Sequence, residues 1–370
     1  MQYYFFRIFI FFFILFVHGI NAKENDNHKV MSILMADGIH FYVNTYRTAR
    51  SFGAVGDGVT DDTHALRKAF SSGINLNLEG KKYLIDISKP GLSQGLLPSN
   101  HTTIEGHGAE IILKPNNLVG FSSMITLNNS VGVKIYDLKL TGDVKNHIGS
   151  EGEWGMGFSI FSSKDCELHR VEANEMWGDG FYVASFSELT NEGGGIFNSS
   201  ARANRRAGIT VVTCNDFLIK NCTFTDTGTI KHTSPAYGID IEPNPGFYDS
   251  INGLKLINTK TENNIGGGIL FVPRNLAFST DPNPLFNIYI EKFISKNDGN
   301  KNKYWFSSSL RFVEYYSQNT YNGLIKIKGY EVISLIGGLP FRWERNTDSS
   351  LSVHAVDLKV DGVFQGNYHY

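Results

Sequence analysis

A five-residue pattern that begins with glycine recurs five times along the middle of the chain. The glycines are Gly157, Gly180, Gly208, Gly238 and Gly268, spaced 23, 28, 30 and 30 residues apart. In each copy the first and third residues after the glycine are apolar while the second and fourth vary, as in a strand that buries one face. Strands that repeat at this interval predict a solenoid, in which each repeat packs on its neighbours.

A second set of short apolar segments lies between these strands and completes each repeat. The segments cover residues 166–168, 217–219, 254–256 and 288–290, and Asn or Asp turns follow at Asn174, Asp226, Asn263 and Asn297. Coils of this kind, stacked in register, place parallel strands about 4.8 Å apart and allow asparagine side chains to form ladders. The pattern therefore predicts an all-β chain folded as a single-stranded right-handed parallel β-helix.

The first 22 residues have the composition of a targeting segment. Arg7 precedes a ten-residue apolar run, residues 8–17, and Ala22 ends the segment before a polar stretch. The run is short for a membrane span, so a secretory signal peptide over residues 1–22 is favoured over an uncleaved anchor. We therefore expect a secreted or periplasmic protein in which residues 23–50 form a leader and a first strand at 39–43.

The segment that follows the leader carries a recognisable motif. Residues 52–63 read FGAVGDGVTDDT and run into a short helix predicted at residues 64–70, which Asp61 or Asp62 is placed to cap and which closes the end of the solenoid. The motif closely resembles the opening of the pectate-lyase-like β-helix superfamily, which includes polygalacturonase relatives, phage tailspikes and mannuronan epimerases. The resemblance covers residues 51–370 as one domain and implies that Asp57, Asp61 and Asp62 serve the turn and the cap.

Composition and charge narrow the range of partners. A net charge of −2 and a pI of about 6.6 argue against nucleic acid and against a membrane surface once the signal is removed. The three cysteines, Cys166, Cys214 and Cys222, cannot all pair, and we expect buried thiols. The Cys and His spacings match no zinc site, so we expect no metal or cofactor, although aspartates leave room for calcium.

The strand Gly238-Ile239-Asp240-Ile241-Glu242 carries two carboxylates on one outer face. Residues two apart on a strand point to the same side, with Cα atoms roughly 6.5–7 Å apart. Retaining glycosidases hold their two carboxyl groups about 5–5.5 Å apart and inverting ones about 6.5–9.5 Å, so this spacing does not choose between them. We predict that Asp240 and Glu242 are catalytic, against the alternative of a solvated pair on an exposed sheet.

Neighbouring turns add residues to the same face. Asp179 precedes one strand of the repeat, and Arg205 and Arg206 occupy the equivalent turn of the next rung. Rungs two apart differ by about 10 Å, so one sugar unit would bridge Asp179 and Asp240 with an arginine between them. We predict Asp179 as a supporting catalytic carboxylate and Arg206 as a bidentate clamp for a uronate carboxylate. The alternative is a structural salt-bridge cluster that ties the turns together.

Long turns interrupt the rungs and are where the walls of a substrate site are built in solenoids. They cover residues 141–154, 185–195, 227–237, 243–250 and 275–284. The residues predicted to bind substrate are Arg205, Arg206, Tyr237, Trp177, Tyr182 and His232.

Resemblances at the site leave more than one activity open. Motifs of polygalacturonases occur at Asn346-Thr347-Asp348, Asp61-Asp62 and Gly106-His107-Gly108, but scattered and in reverse order, so they do not form that site. The run from Tyr237 to Glu242 resembles the mannuronan epimerase signature, with Glu242 in place of its histidine. We predict hydrolysis of an acidic polysaccharide by a monomer or homotrimer. A polysaccharide lyase, a uronate C5-epimerase and a non-catalytic polysaccharide-binding or export-associated protein are the alternatives.

Overall fold

The computed structural model describes residues 30–34, 40–89, 91, 93–185, 189–244, 248–299, 308–314, 321–334, 339–345 and 351–369. The predicted signal peptide, residues 1–22, lies outside the described residues. The strand predicted at 39–43 corresponds to His40–Asn44, which pairs antiparallel with Val30–Leu34.

Eight of the described strands stack in parallel into one sheet, here called the site sheet. In chain order they are Ser123–Asn128, Met156–Phe161, Phe181–Ala184, Ala207–Val211, Tyr237–Ile241, Gly267–Phe271, Ser308–Glu314 and Leu339–Arg345. Five of these strands contain the glycine-initiated pattern, so the predicted repeat forms successive rungs of one sheet.

The remaining strands of the solenoid wrap its other sides. They are Tyr46–Thr48, Asp57–Asp61, Asn75–Asn77, Lys82–Ile85, Thr103–Leu113, Lys134–Thr141, Glu167–His169, Glu172–Asn174, Gly195–Phe197, Ser200–Arg202, Cys214–Asn215, Leu218–Lys220, Thr223–Thr225, Ile251–Ile257, Lys260–Glu262, Phe286–Lys296, Gly323–Ile333, Leu351–Val360 and Val363–His369. All pair in parallel with the next rung except Val363–His369, which folds back antiparallel on Leu351–Val360. The second set of predicted strands lies here.

The alternation of the repeat sets the core as predicted. On the strand Tyr237–Ile241, Ile239 and Ile241 are fully buried in the central apolar cluster. The outward column of the site sheet runs from Tyr182 through Thr210, Asp240 and Leu270. The two faces of this strand therefore carry the residues that the sequence assigns to them.

The predicted helix is Thr63–Phe70, and it covers the first rungs with Leu66, Ala69 and Phe70. Asp62 occupies the N-cap position without a side-chain capping bond, while the carboxylate of Asp61, one residue earlier, accepts the backbone N–H of Thr63 at 3.0 Å. Asp62 instead accepts the N–H groups of the preceding turn at Val55 and Gly56. Among the described residues, no helix is long and apolar enough to cross a membrane.

Asparagine ladders join the rungs. In the buried ladder, the asparagine lies one residue after the turn residue that the sequence predicted. The predicted turn residue Asn263 is at the surface, while its neighbour Asn264 is buried. Asn264 accepts the N–H of Thr227 at 3.0 Å and donates to the carbonyl of Phe224 at 3.0 Å and to the Asp298 carboxylate at 2.8 Å. It thus satisfies backbone groups that water does not reach.

We expect Asn264→Ala to lower the free energy of unfolding by about 2–4 kcal/mol, because it leaves a buried N–H and a buried carbonyl without partners. The matched control is Asn252→Ala in a half-buried ladder, where Asn252 bonds only the side chains of Asn215 and Asn287. Water replaces those partners, so its cost should stay below about 1 kcal/mol. Chemical denaturation of both variants compares the two ladders, and equal losses would contradict the role assigned to Asn264.

Candidate active site

Arg206 is the centre of a charged cluster on the outer face of the site sheet. Its Nη1 donates to Asp179 Oδ2 at 2.9 Å and to Thr210 Oγ1 at 3.1 Å. Its Nη2 lies 3.6 Å from Asp240 Oδ2 and 4.0 Å from Glu242 Oε2. The structure thus brings together Asp179, Arg206, Asp240 and Glu242, which the sequence placed on three successive rungs.

The arginine fills the space in which a sugar was expected. The sequence predicted a sugar unit between Asp179 and Asp240, but the guanidinium itself contacts both carboxylates. The side chains of both aspartates are 0% exposed, whereas those of Arg206 and Glu242 are 14% and 32% exposed. Asp179 and Asp240 therefore lie beneath Arg206, and a bound molecule would meet Arg206 and Glu242 first.

Burial controls the ionisation of the two covered acids. It raises the pKa of Asp240 well above its ordinary value, and the charge of Glu242 adds to this effect while Arg206 opposes it. Burial also raises the pKa of Asp179, again against the charge of Arg206. Neither oxygen of Asp240 accepts a hydrogen bond from the described residues, which favours a neutral acid. Burial lowers the pKa of Arg206, but the carboxylates of Asp179 and Asp240 outweigh it, so the net shift is upward.

A pocket of about 430 Å³ opens above the cluster. Its described lining consists of three arginines, two glutamates and a largely apolar wall, namely Arg206, Arg274, Arg311, Glu153, Glu242, Ser234, Pro235, Leu270, Val272 and Val313. Because Arg206 already pairs with Asp179 and Arg311 with Glu344, the pocket presents groups of both charge signs. Its size suits one or two sugar units.

Trp177 and Arg205 do not line this pocket, in contrast to the sequence prediction. The indole of Trp177 is stacked on the His147 ring at 3.9 Å, and the Arg205 guanidinium lies 3.9 Å from the indole centroid. Arg205 also donates to the carbonyl of Gly152 at 2.7 Å. Both side chains are buried because they fasten the 141–154 segment to the adjoining rung, so neither presents a surface to a sugar.

Tyr237 and Tyr182 are also covered. The ring of Tyr237 packs against Gly267, where an added Cβ would lie 2.3 Å from a ring carbon, and burial raises the pKa of Tyr237 to about 12. Tyr182 lies in a second apolar cluster with Phe161, beneath the edge-on ring of Trp154 at 5.8 Å. Burial raises its pKa as well. Neither tyrosine is among the described residues that line the pocket.

The remaining predicted features also lie away from the pocket. His232 is exposed on the 227–237 segment and is absent from the described pocket lining. Within the described ranges, no group of three or more His, Cys, Asp or Glu side chains is arranged to hold a metal ion. The three cysteines are free and buried, as expected.

The charged pocket residues that the sequence did not indicate are Glu153, Arg274 and Arg311. The 141–154 segment folds across the outer face of the site sheet, where Trp154 packs on Phe121 at 5.6 Å between ring centroids. This brings Glu153 Oε2 to 3.8 Å from Arg206 Nε, although some 50 residues separate them in the chain. The prediction located a wall in this segment but could not say which side chain faces inward, because an insertion has no period.

Comparisons with known proteins agree with the fold. No family model matches the chain. The chain is 26% identical to the uncharacterized protein YclG of Bacillus subtilis over 218 residues, which are 52% of this chain and 37% of the relative. It is also 26% identical to the mannuronan C5-epimerase AlgE5 of Azotobacter vinelandii over 263 residues, 58% of this chain and 26% of that protein. The chain thus spans well under half the length of these relatives.

Solved structures show the same architecture at low identity. The surface adhesin PfbA of Streptococcus pneumoniae matches with a TM-score of 0.54 and 12% identity over 85% of this chain and 91% of the adhesin. The tailspike gp49 of the Acinetobacter baumannii bacteriophage Fri1, a capsular polysaccharide depolymerase, matches with a TM-score of 0.50 and 15% identity over 94% of this chain and 69% of the tailspike. The chain has the right-handed parallel β-helix fold that its opening motif predicted.

Proposed function

We propose that this chain is an exported carbohydrate-active enzyme that hydrolyses an acidic polysaccharide. One observation carries the proposal: an open pocket on the outer face of the site sheet has Arg206 and Glu242 at its base, above two buried aspartates. A carboxylate that reaches substrate, beside buried acids with raised pKa, is an arrangement suited to acid and base catalysis. The polysaccharide-acting relatives support the general class of activity.

Each predicted catalytic residue has a distinct place in this proposal. Glu242 is the carboxylate that contacts the glycosidic bond. Asp240, kept neutral by burial, holds a proton directly behind Glu242 on the same strand. Asp179 orients Arg206 through its 2.9 Å bond. Arg206 presents its remaining N–H groups to the pocket, where a uronate carboxylate can accept them.

The arginines of the pocket support an acidic substrate. Arg274 and Arg311 line the pocket alongside Arg206, and Arg311 occupies the same outward column as Asp240, two rungs further on. Three rungs, or about 14 Å along the stack, separate Arg206 from Arg311, so the two are spaced to bind charges on different sugars of one chain. We propose that the substrate carries an acidic group on more than one residue of its repeat.

The structure weakens one route to elimination or epimerisation. That route needs a base at C5 of a uronate, and Tyr237 is a candidate because it begins the run that resembles the mannuronan epimerase signature. The Tyr237 side chain is fully buried against the next rung, so it does not reach a molecule in the pocket. We therefore propose hydrolysis through Glu242, and the lyase, the epimerase and the non-catalytic binding protein are outcomes of the test.

The test is incubation of the protein, from residue 23 onward, with a panel of acidic capsular and plant polysaccharides. Products that gain one water per cleavage and new reducing ends support hydrolysis. An ultraviolet-absorbing unsaturated product without added water would contradict hydrolysis and indicate elimination. Binding without any product would indicate a polysaccharide-binding protein. A parallel series with a chelator tests whether calcium contributes.

Export and assembly are proposed on the same basis. We propose that residues 1–22 are removed on export and that the mature protein acts outside the cytoplasm, as a monomer or a homotrimer. N-terminal sequencing of protein recovered from the medium or periplasm tests the first point, because cleavage should leave Lys23 as the first residue. Light scattering of the purified protein measures the second.

A further inference from the structure

We infer that Glu153 is a second catalytic carboxylate of this pocket, the general base that activates the attacking water while Glu242 acts as the acid. The inference rests on the proposed function and adds a residue to it. Among the described lining residues, the carboxylates of the pocket are Glu153 and Glu242, because Asp179 and Asp240 lie below Arg206. A glycoside hydrolase needs two carboxyl groups that both reach the reacting atoms.

Arg206 holds the two glutamates around one point of the pocket. Glu153 Oε2 lies 3.8 Å from Nε and Glu242 Oε2 lies 4.0 Å from Nη2 of the same guanidinium. These adjacent nitrogens belong to one planar group, so at most about 10 Å separates the two carboxylate oxygens. Inverting enzymes hold their carboxyl groups about 6.5–9.5 Å apart to leave room for water, and this limit accommodates that range.

The segment that carries Glu153 is anchored on both sides of it. Before it, the carbonyl of Gly152 accepts a 2.7 Å hydrogen bond from Arg205. After it, Trp154 packs on the aromatic cluster of the site sheet. The backbone carbonyl of Glu153 packs against Gly178, where an added Cβ would lie 2.9 Å from the carbonyl oxygen. The backbone is therefore fixed at Glu153 while its side chain remains free to reach water and substrate.

Exposure assigns the two roles. The side chain of Glu153 is 63% exposed and that of Glu242 is 32% exposed, so water reaches Glu153 more readily. Glu242 stands beside Asp240, whose burial favours the protonated acid and so supplies a nearby proton. Glu242 is the better donor to a leaving oxygen, and Glu153 the better acceptor from water.

The step balances with one water and no other reactant. The proton held on Asp240 passes through Glu242 to the glycosidic oxygen as the bond from that oxygen to the anomeric carbon breaks. The water oxygen bonds to the anomeric carbon from the opposite face and gives one proton to the Glu153 carboxylate. Solvent then carries that proton away and restores the proton on Asp240, so all three residues return to their starting states.

The test is Glu153→Ala, assayed with and without sodium azide on a polysaccharide that the wild-type protein hydrolyses. Loss of a general base should lower kcat by about 10²–10³-fold. Azide is an anion that needs no deprotonation, so it should restore at least about tenfold and yield a glycosyl azide visible by mass. The matched control is Glu151→Ala, an exposed glutamate of the same segment that is absent from the described pocket lining. It should keep wild-type kcat with no response to azide.

The outcomes separate this inference from the proposed function. If the wild-type protein hydrolyses no polysaccharide of the panel, the proposed function itself fails. If the wild-type protein is active and Glu153→Ala keeps its kcat, only the inference is overturned. An inactive Glu153→Ala variant that azide does not rescue also overturns it, because a residue that merely shapes the pocket would give that result.

Discussion

Replacing Arg206 with methionine should lower the free energy of unfolding at pH 7 by about 3–5 kcal/mol, because a buried charge partner is removed. Asp179 and Asp240 are fully covered, and Arg206 is the cation that both contact. Methionine fills much of the space but leaves two buried acids without a counter-charge. The same variant should have no measurable activity, because Arg206 also forms the base of the pocket.

The loss should depend on pH with a definite sign. Burial already raises the pKa of Asp179 and Asp240 in the folded state, and loss of Arg206 removes the charge that opposes this shift. Between the folded pKa of wild type and the higher folded pKa of the variant, the variant keeps protons that wild type has released, so its stability relative to wild type falls as pH rises through that window. We expect the deficit to be smaller at pH 5 than at pH 7.

Urea unfolding of Arg206→Met and wild type at both pH values measures this difference. The control is Arg170→Met, because Arg170 makes a bidentate pair with Asp137 while its side chain is 52% exposed. That variant should lose less than about 1 kcal/mol at either pH. A second change, Asp240→Asn, should recover part of the loss in Arg206→Met at pH 7, since the amide carries no charge. A deficit of equal size at both pH values would contradict this account.

The fold was largely predictable because every rung must bury the same positions of the repeat. Each rung buries the first and third residues after its glycine. The sequence therefore predicts that Ile209, Ile239 and Ile269 form one column of the core. The glycine itself is needed where a side chain packs directly on the strand, since an added Cβ at Gly238 would lie 2.6 Å from Thr261. Because burial imposes the same apolar positions at every rung, the pattern appears in every copy of the repeat. Five copies are enough to identify the repeat.

The site was predictable only in part, for the same reason. Strand alternation placed Asp240 and Glu242 outward and put Arg206 beside them, and the structure agrees. Alternation says nothing about what covers an outward residue. The 141–154 segment closes over part of the sheet and buries Tyr182, while Arg206 closes over Asp240. Trp177 was predicted to bind substrate, yet it anchors that segment.

The charge of Glu242, beside Arg206, supports activity but opposes stability. Glu242 is needed to contact substrate, but its charge adds to the burial that raises the pKa of Asp240. A protein selected for stability alone would avoid a third carboxylate at this position. Active sites commonly retain such unfavourable charges because the reaction uses them.

Glu242→Gln should therefore lower kcat by about 10²–10⁴-fold, since glutamine neither donates nor accepts the proton that the reaction moves. Its shape is retained, so substrate binding should change little. The control is Glu167→Gln, which makes the same chemical change on a different sheet at nearly equal side-chain exposure, 30% against 32%. That variant should keep the wild-type rate.

Stability should move the other way in Glu242→Gln. Without the charge of Glu242, the pKa of Asp240 moves back toward its ordinary value. Keeping Asp240 protonated in the folded state at neutral pH then costs less free energy. We expect the variant to be as stable as wild type or more stable at pH 7, with the difference shrinking toward pH 4, where Asp240 is protonated in both the folded and unfolded chains. Urea unfolding beside the kinetic assay tests both halves. A variant that loses stability together with activity would show that Glu242 supports the fold, and a variant that keeps its activity would remove Glu242 from the mechanism.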